Sequence, residues 1–276
     1  MKLAEILSQS QKRLKKSGQP DWLYDSQALV ASILKINRLE INLHHNRVIK
    51  KDELHQIKEA IQRRETNEPI SYILGFHHFF GRSFFVDESV LIPRAETEIL
   101  IQKILDDNSQ KKELEVLDIG TGSGIIAITL ALEIDKSLCL GVDISGQALE
   151  VAQKNAQSLG ANVKFLKSDV FANVSGRFDV IASNPPYIPF SEYGKLSRQI
   201  VDYEPKVALL AGENGLVFYS RIFQKAKTYL KKGGVVYVEV GYNQAEAVKK
   251  IALKSGFKQI EFIEDLQGIL RVVKIF

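Results

Sequence analysis

Leu117-Asp118-Ile119-Gly120-Thr121-Gly122-Ser123-Gly124 decides how this chain is read. The apolar residues before it have strand character and those after it helical character, so the glycines sit in a strand-to-helix turn. Glycine lets such a turn tighten and lets main chain approach a ligand, and the following helix presents N–H groups at its start. Spacing separates the candidate ligands. A dinucleotide fingerprint counted from Gly120 needs a third glycine where Ile125 stands, and a phosphate loop would end in Gly-Lys-Ser/Thr, which is absent. A carboxylate at Asp118 repels a pyrophosphate but attracts the ammonium of a methionine moiety. The turn therefore points to S-adenosylmethionine (SAM), with Asp118, Gly120, Thr121, Gly122, Ser123 and Gly124 as cofactor-binding residues.

Outward from the turn, short apolar strands alternate with amphipathic helices, the pattern of a parallel sheet covered on both faces. Strands are expected near 114–118, 138–143, 163–166, 178–183 and 235–240, and helices near 124–132, 146–159, 215–230 and 243–255. Gln259–Ile263 and Leu270–Ile275 read as two more strands. Their connection is too short for a parallel crossover, so they must be antiparallel. A Rossmann-like, mainly parallel sheet with an antiparallel C-terminal hairpin is the class I SAM-dependent methyltransferase fold. Asp143, ending the second strand, is placed to accept both ribose hydroxyls. Asp169, after the third, is placed to accept from the adenine amino group, with Val170 and Phe171 covering the ring.

The fourth strand ends in Ser183-Asn184-Pro185-Pro186-Tyr187. Prolines lack N–H donors and fix φ, so this loop is stiff and rich in acceptors. The Asn184 side-chain oxygen and the Pro185 carbonyl together suit the two hydrogens of an NH₂ group, and the Tyr187 ring suits a planar substrate. An amide or aromatic amine nitrogen is a poor nucleophile. Two fixed acceptors would orient it toward the sulfonium methyl. Asn184, Pro185, Pro186 and Tyr187 are thus the candidate catalytic residues, and Asn184 also borders the cofactor. The product would be S-adenosylhomocysteine.

The N-terminal quarter differs. Residues 1–75 show helical periodicity at Leu29, Val30, Ile33 and Leu34 and again at Leu54, Ile57, Ala60 and Ile61, with a break at Gly18-Gln19-Pro20. A small bundle of four or five helices is expected, with Trp22 in its core. This segment holds 13 Lys+Arg against 9 Asp+Glu, so the whole chain's net charge of +4 lies in it. The excess suits a solvated surface or a docking face. Aromatic residues around Gly81-Arg82 read as a β-hairpin within 76–92, a linker or part of a substrate wall. Pro93 to Glu98 opens a helix running to about Leu105, and the catalytic domain spans 93–276.

Composition bounds the rest. Hydrophobic residues make up 45% and charged residues 25%, a globular balance without the long apolar run of a membrane span. The N-terminus reads as an amphipathic helix rather than a secretory signal, so a cytoplasmic location is expected. The lone Cys139 lies in an apolar strand and is expected to be buried and inert. His44-His45 and His77-His78 are adjacent pairs, and neighbours on a strand face opposite ways, so no metal site is expected.

Taken together, PISYILG (69–75), VLIPRAETE (90–98), LDIGTGSG, SNPPYI, YEPKVALLAGENGL (203–216), VEVGYNQ (238–244) and DLQGILR (265–271) resemble the HemK/PrmC family. These are protein-(glutamine-N5) methyltransferases of peptide chain release factors. The resemblance runs from about residue 69 to the C-terminus, and a helical N-domain completes it. It implies that the substrate is the glutamine of the Gly-Gly-Gln loop in class 1 release factors, which tunes translation termination. It implies that Asn184, Pro185, Pro186 and Tyr187 hold that glutamine, and that Gly120–Gly124, Asp143 and the Asp169–Val170 region hold the cofactor. Ala95 replaces a proline usual in the family, and Val170 stands where many members carry an aromatic residue. Residues 1–75 then become a substrate-docking domain, with no membrane or nucleic acid required. The rival reading is a nucleic-acid amino-methyltransferase acting on adenine N6 or guanine N2, using the same pocket on a flipped base. The charge-neutral remainder of the chain argues against it.

Overall fold

The computed structural model describes residues 1–111 and 113–276. It divides into two compact units: residues 1–76 with 197–203, and residues 77–196 with 204–276.

The first unit is helical. It contains α1 (Leu3–Lys16), α2 (Trp22–Leu34), a 3₁₀ segment (Arg38–His44), α3 (Lys51–Glu65) and α4 (Ile70–Leu74). Leu3, Leu7, Leu14, Leu29, Val30, Ile57 and Ile61 form its core, as their helical spacing demands. Trp22 packs on the edge of this core, half-buried, with the Lys15 ammonium 5.1 Å from its ring centroid. Arg64 Nε donates to Asp25 Oδ2 at 2.7 Å, and both side chains are only 3% exposed. Removing one partner would strand a buried charge, at a cost of about 3–5 kcal/mol.

The second unit begins at His77, inside the hairpin of β1 (Phe76–Phe79) and β2 (Arg82–Phe85). Its two-residue turn, Phe80-Gly81, has φ of 48° and 71°. Left-handed values at both positions are what a tight hairpin needs, and only Gly81 adopts them without strain. Then come α5 (Glu96–Asp107), β3 (Glu115–Ile119), α6 (Ile125–Glu133), β4 (Leu138–Asp143) and α7 (Gly146–Leu159). They are followed by β5 (Val163–Lys167), β6 (Phe178–Ser183), the short α8 (Phe190–Tyr193) and α9 (Arg198–Tyr203). Helix α9 belongs to the first unit, where the Tyr203 hydroxyl donates to the Thr66 carbonyl at 3.0 Å. The chain closes with α10 (Val217–Tyr229), β7 (Leu230–Glu239), α11 (Ala245–Lys254), β8 (Ile260–Glu264) and β9 (Leu270–Ile275).

Seven strands form one sheet in the order β5-β4-β3-β6-β7-β9-β8. The first five are parallel, and β9 runs antiparallel to both β7 and β8. This is the class I methyltransferase arrangement the alternation called for. The chain leaves the sheet centre at β3, winds out to β5 and returns to β6 on the other side. The crevice outside the carboxyl ends of β3 and β6 is therefore the topological switch point, where open α/β sheets bind ligands. Ile119 pairs with Val142 and with Ser183, so the three strand ends are level there.

Three element boundaries depart from the sequence reading. Strand β7 starts at Leu230, five residues before the expected 235. Leu230 pairs with Phe178 and Val235 with Val180, and the bulge between them holds Gly233 at φ 78°. Helix α5 begins at Glu96 rather than Pro93 and continues two residues past Leu105. Helices α8 and α9 carry no clear periodicity and were not expected.

Candidate active site

Three main-chain devices build the turn after β3. The Gly120 and Thr121 N–H groups both donate to the Val142 carbonyl, at 2.8 and 3.0 Å. Gly120, Gly122 and Gly124 all have positive φ. Gly124 also lets the start of α6 lie close to α7, since a Cβ there would stand 3.2 Å from Ala152 Cβ. Gly141 on β4 makes room for the turn in the same way, because its Cβ would meet Thr121 Oγ1 at 2.7 Å.

Two carboxylates hold this turn in place. Asp143 Oδ2 accepts from the Gly122 N–H and Oδ1 from the Ser145 N–H, both at 2.9 Å. Asp118 Oδ2 accepts from the Thr121 hydroxyl at 2.6 Å and from the Ala127 N–H at 3.3 Å. Asp118 is fully buried, and desolvation pushes its pKa up to about 7. Its Oδ1 is buried without a hydrogen-bond partner among the described residues. The N–H groups at this end are thus largely taken by protein acceptors, two of them carboxylates. The environment repels a pyrophosphate and favours a ligand carrying positive charge.

A single cavity joins this turn to the Asn-Pro-Pro loop. Gly120, Gly122, Asp143, Asp169, Val170, Asn184, Pro185 and Pro186 line it, with Ser89–Leu91 and the α10 side chains Phe218, Arg221 and Ile222 on the other walls. The remaining expected residues lie behind this surface. Asp118, Thr121, Ser123 and Gly124 support the turn from outside the lining. Phe171 does not face the cavity: it is 2% exposed and stacks on Tyr229, with centroids 4.5 Å apart. The cause is Val170, whose φ of 55° turns the chain so that successive side chains diverge. A left-handed β-branched residue is strained, a feature that concentrates at ligand sites. Asp169 lines the cavity but is held by Arg221, whose Nη2 donates to Oδ2 at 2.7 Å.

Tyr187 is likewise outside the cavity lining. Its half-buried ring packs on the core formed by β3, β6, β7 and α10, and burial pushes its phenol up to about 12. Gln244 fixes the loop's main chain, with Nε2 donating to the Tyr187 carbonyl at 2.9 Å and Oε1 accepting from the Gly241 N–H at 3.2 Å. Gly215 is required for this approach, because a Cβ there would stand 2.3 Å from the Tyr187 oxygen. Ser183 ties the two motifs together, its hydroxyl donating to the Ile119 carbonyl at 2.7 Å.

Asn184 is the side chain best placed for chemistry. Its Nδ2 donates to Thr97 Oγ1 at 3.1 Å, and Thr97 Oγ1 donates to Glu239 Oε2 at 2.6 Å. The amide nitrogen is spent on the protein, which leaves Oδ1 as the acceptor this cavity-lining side chain can offer. Thr97, Glu239, Gln244 and Asn155 were not singled out from sequence. Asn155, 1% exposed, joins the hairpin to the glycine turn. Its Nδ2 donates to the Phe85 and Ser123 carbonyls, and its Oδ1 accepts from the Phe85 N–H. Thr97, Glu239 and Gln244 lie in the motifs VLIPRAETE and VEVGYNQ, but nothing in those motifs assigns them a task. Cys139 is buried as expected, with its thiol pushed up to about 12. Among the described residues no group of three or more His, Cys, Asp or Glu is placed to hold a metal ion. No helix of the described residues is long and apolar enough to cross a membrane.

The fold and this cavity define a class I methyltransferase with an Asn-Pro-Pro-Tyr loop beside its glycine turn. Residues 95–203 match the family model "Methyltransferase small domain", and residues 5–75 match "PrmC N-terminal domain". A release factor glutamine methyltransferase of Koribacter versatilis is 39% identical over 275 residues, covering 99% of this chain and 98% of that one. One from Fusobacterium nucleatum is 37% identical over 273 residues, covering 98% and 77%. The chain belongs to the release factor glutamine methyltransferase family. A methyltransferase structure from Pyrococcus furiosus shares the fold at 20% identity, with a TM-score of 0.55 over 79% of this chain and 98% of that one.

Proposed function

We propose that this protein transfers a methyl group from SAM to the side-chain amide nitrogen of the glutamine in the Gly-Gly-Gln loop of class 1 release factors. The observation that carries the reading is the orientation of Asn184, whose amide nitrogen is bound to Thr97 while its oxygen is left for the cavity. An acceptor is what a substrate NH₂ needs there.

The residues present fit the cofactor. The Asp143 carboxylate in the cavity wall and the scarcity of free N–H donors suit a cationic nucleoside rather than a polyphosphate. Each Asp143 oxygen already accepts one main-chain hydrogen bond and keeps a lone pair for a ribose hydroxyl. Asp169 and Val170 would flank the adenine. When bound, SAM would supply an electrophilic methyl group on its sulfonium. The Asn184 oxygen and the Pro185 carbonyl would take the two amide hydrogens, hold the nitrogen in line and favour its pyramidal form. Pro186 would keep the loop rigid, and Tyr187 would anchor it in the core. S-adenosylhomocysteine would be the product, and the location would be the cytoplasm, where release factors work.

The helical segment of residues 1–75 would dock the folded substrate, since one glutamine side chain offers little surface for selection. Its 3₁₀ segment presents Leu39 and Leu43, each 78% exposed. The double variant Leu39→Ser/Leu43→Ser should raise KM for intact release factor several-fold, and an unchanged KM would remove this face from the docking proposal. The main reading is tested by incubating the enzyme with methyl-labelled SAM, purified release factor, and RNA and DNA in parallel. Label should enter the release factor alone. Label in nucleic acid, or in nothing, would overturn it.

A further inference from the structure

Asn184 can serve a substrate NH₂ only if its own amide presents oxygen, and a free asparagine has no preference between its two ends. Something must choose. Behind Asn184 stands Thr97 in the first turn of α5, 0% exposed, and behind Thr97 stands Glu239 at the end of β7, 2% exposed. The distances are 3.1 Å from Asn184 Nδ2 to Thr97 Oγ1 and 2.6 Å from Thr97 Oγ1 to Glu239 Oε2. A threonine hydroxyl has one proton to give and lone pairs to receive with, whereas an ionised carboxylate only accepts. The charge on Glu239 therefore fixes the threonine proton. That proton's direction leaves a lone pair facing Asn184, and the lone pair selects the NH₂ end of the amide.

We infer that Thr97 and Glu239 are positioning residues for methyl transfer, a two-link relay that sets which end of the Asn184 amide meets the acceptor nitrogen. The inference rests on the acceptor role proposed for Asn184. Neither relay residue lines the cavity; each acts through Asn184. If position 239 can donate, as a glutamine or a protonated acid does, it supplies the proton shared with Thr97. Thr97 is then free to donate to Asn184 and turn the amide over. An NH₂ group would then face the substrate NH₂, donor against donor.

The surroundings make the relay pH-sensitive. Burial is the largest influence on Glu239 and pushes its pKa up to about 7, against the hydrogen bond from Thr97. Glu96 adds to the rise, while Arg271 and Arg94 oppose it. Tyr187 and Tyr219 also face this carboxylate, and the Tyr219 hydroxyl donates to the Glu239 main-chain carbonyl at 2.9 Å. A carboxyl with a raised pKa is ionised only above it. The relay is set at alkaline pH and lost as pH falls through about 7.

The test is single-turnover methyl transfer to release factor at saturating SAM, from pH 5.5 to about 9, a span chosen to bracket that titration, with SAM affinity measured by calorimetry for each variant. Wild type should show an acid limb near neutrality that SAM affinity does not share. Glu239→Gln should lose about ten- to a hundredfold in rate, because orientation is lost while binding is kept. Its remaining rate should lack the acid limb. Asp118 also has a raised pKa, so persistence of the limb in Glu239→Gln would assign it elsewhere and overturn the relay. Thr97→Val should match Glu239→Gln, and Thr97→Ser, which keeps the hydroxyl, should restore the rate. Should either severe variant fail to fold, the wild-type limb and Thr97→Ser still decide: a flat wild-type profile rejects the relay. Asn184→Ala separates this inference from its foundation. If that variant stays active, the acceptor role itself fails. If it is inactive while Glu239→Gln and Thr97→Val keep wild-type rates, only the relay fails.

Discussion

The two ends of the cavity are held by different means. At the glycine-turn end the parts lie close in sequence: Asp118 reaches Thr121 and Ala127, and Asp143 reaches back to Gly122, with most partners on main-chain N–H groups. At the acceptor end the parts come from far apart. Asn184 is 87 residues from Thr97, Thr97 is 142 from Glu239, and Gln244 is 57 from Tyr187. The first end is a local motif whose shape its own residues dictate. The second is a side-chain assembly that exists only once α5, β6 and β7 are packed together. Damage to the two should therefore show up in different measurements: affinity at the first, rate at the second.

The largest effect is expected at the acceptor end. Asn184→Ala should lower single-turnover methyl transfer about a hundredfold or more, since an unoriented amide nitrogen loses its in-line geometry. SAM affinity by calorimetry should stay at the wild-type value. A fall in both would mean that the two ends are not separable.

The opposite pattern is expected for Asp143→Ala. Losing charge-assisted hydrogen bonds should weaken SAM binding by about 1.5–3 kcal/mol, roughly ten- to a hundredfold in Kd. The rate at saturating SAM should change far less. Calorimetry giving an unchanged Kd would take Asp143 out of the ribose site.

This difference also explains what the sequence disclosed. The glycine turn, β3, β4, β6 and the antiparallel C-terminal pair were legible, because apolar strands and turn chemistry are short-range signals. The place of Asn184 and Pro185 in the cavity wall was legible because they follow directly on the apolar strand β6. The partition of Val170 and Phe171 was not, because it depends on one left-handed φ that no side-chain pattern announces. The placement of Tyr187 was not legible either. A tyrosine beside two prolines reads as a substrate platform, whereas Gly215, Gly241 and Gln244 draw its main chain and ring toward the core. The early start of β7 was hidden by a glycine bulge, which breaks the apolar run without ending the strand. Thr97 and Glu239 were invisible as a pair because only tertiary packing joins them.

The smallest effect should come from Tyr187→Phe. The phenol is pushed up to about 12 by burial, so the hydroxyl stays neutral and the ring carries the packing. Loss of that hydroxyl should change the transfer rate less than about threefold, the range of a mild perturbation rather than of lost orientation. A drop as large as that of Asn184→Ala would move the hydroxyl into the chemistry and blur the contrast between anchoring and orienting.

The most direct measurement is to locate the transferred methyl group. Release factor incubated with SAM and the enzyme should be digested and its Gly-Gly-Gln peptide fragmented in a mass spectrometer. The added methyl should sit on the glutamine side-chain nitrogen and be absent when Asn184→Ala replaces the wild-type enzyme. A methyl found on another residue, or a Gly-Gly-Gln peptide unmodified while another substrate carries the label, would contradict the account.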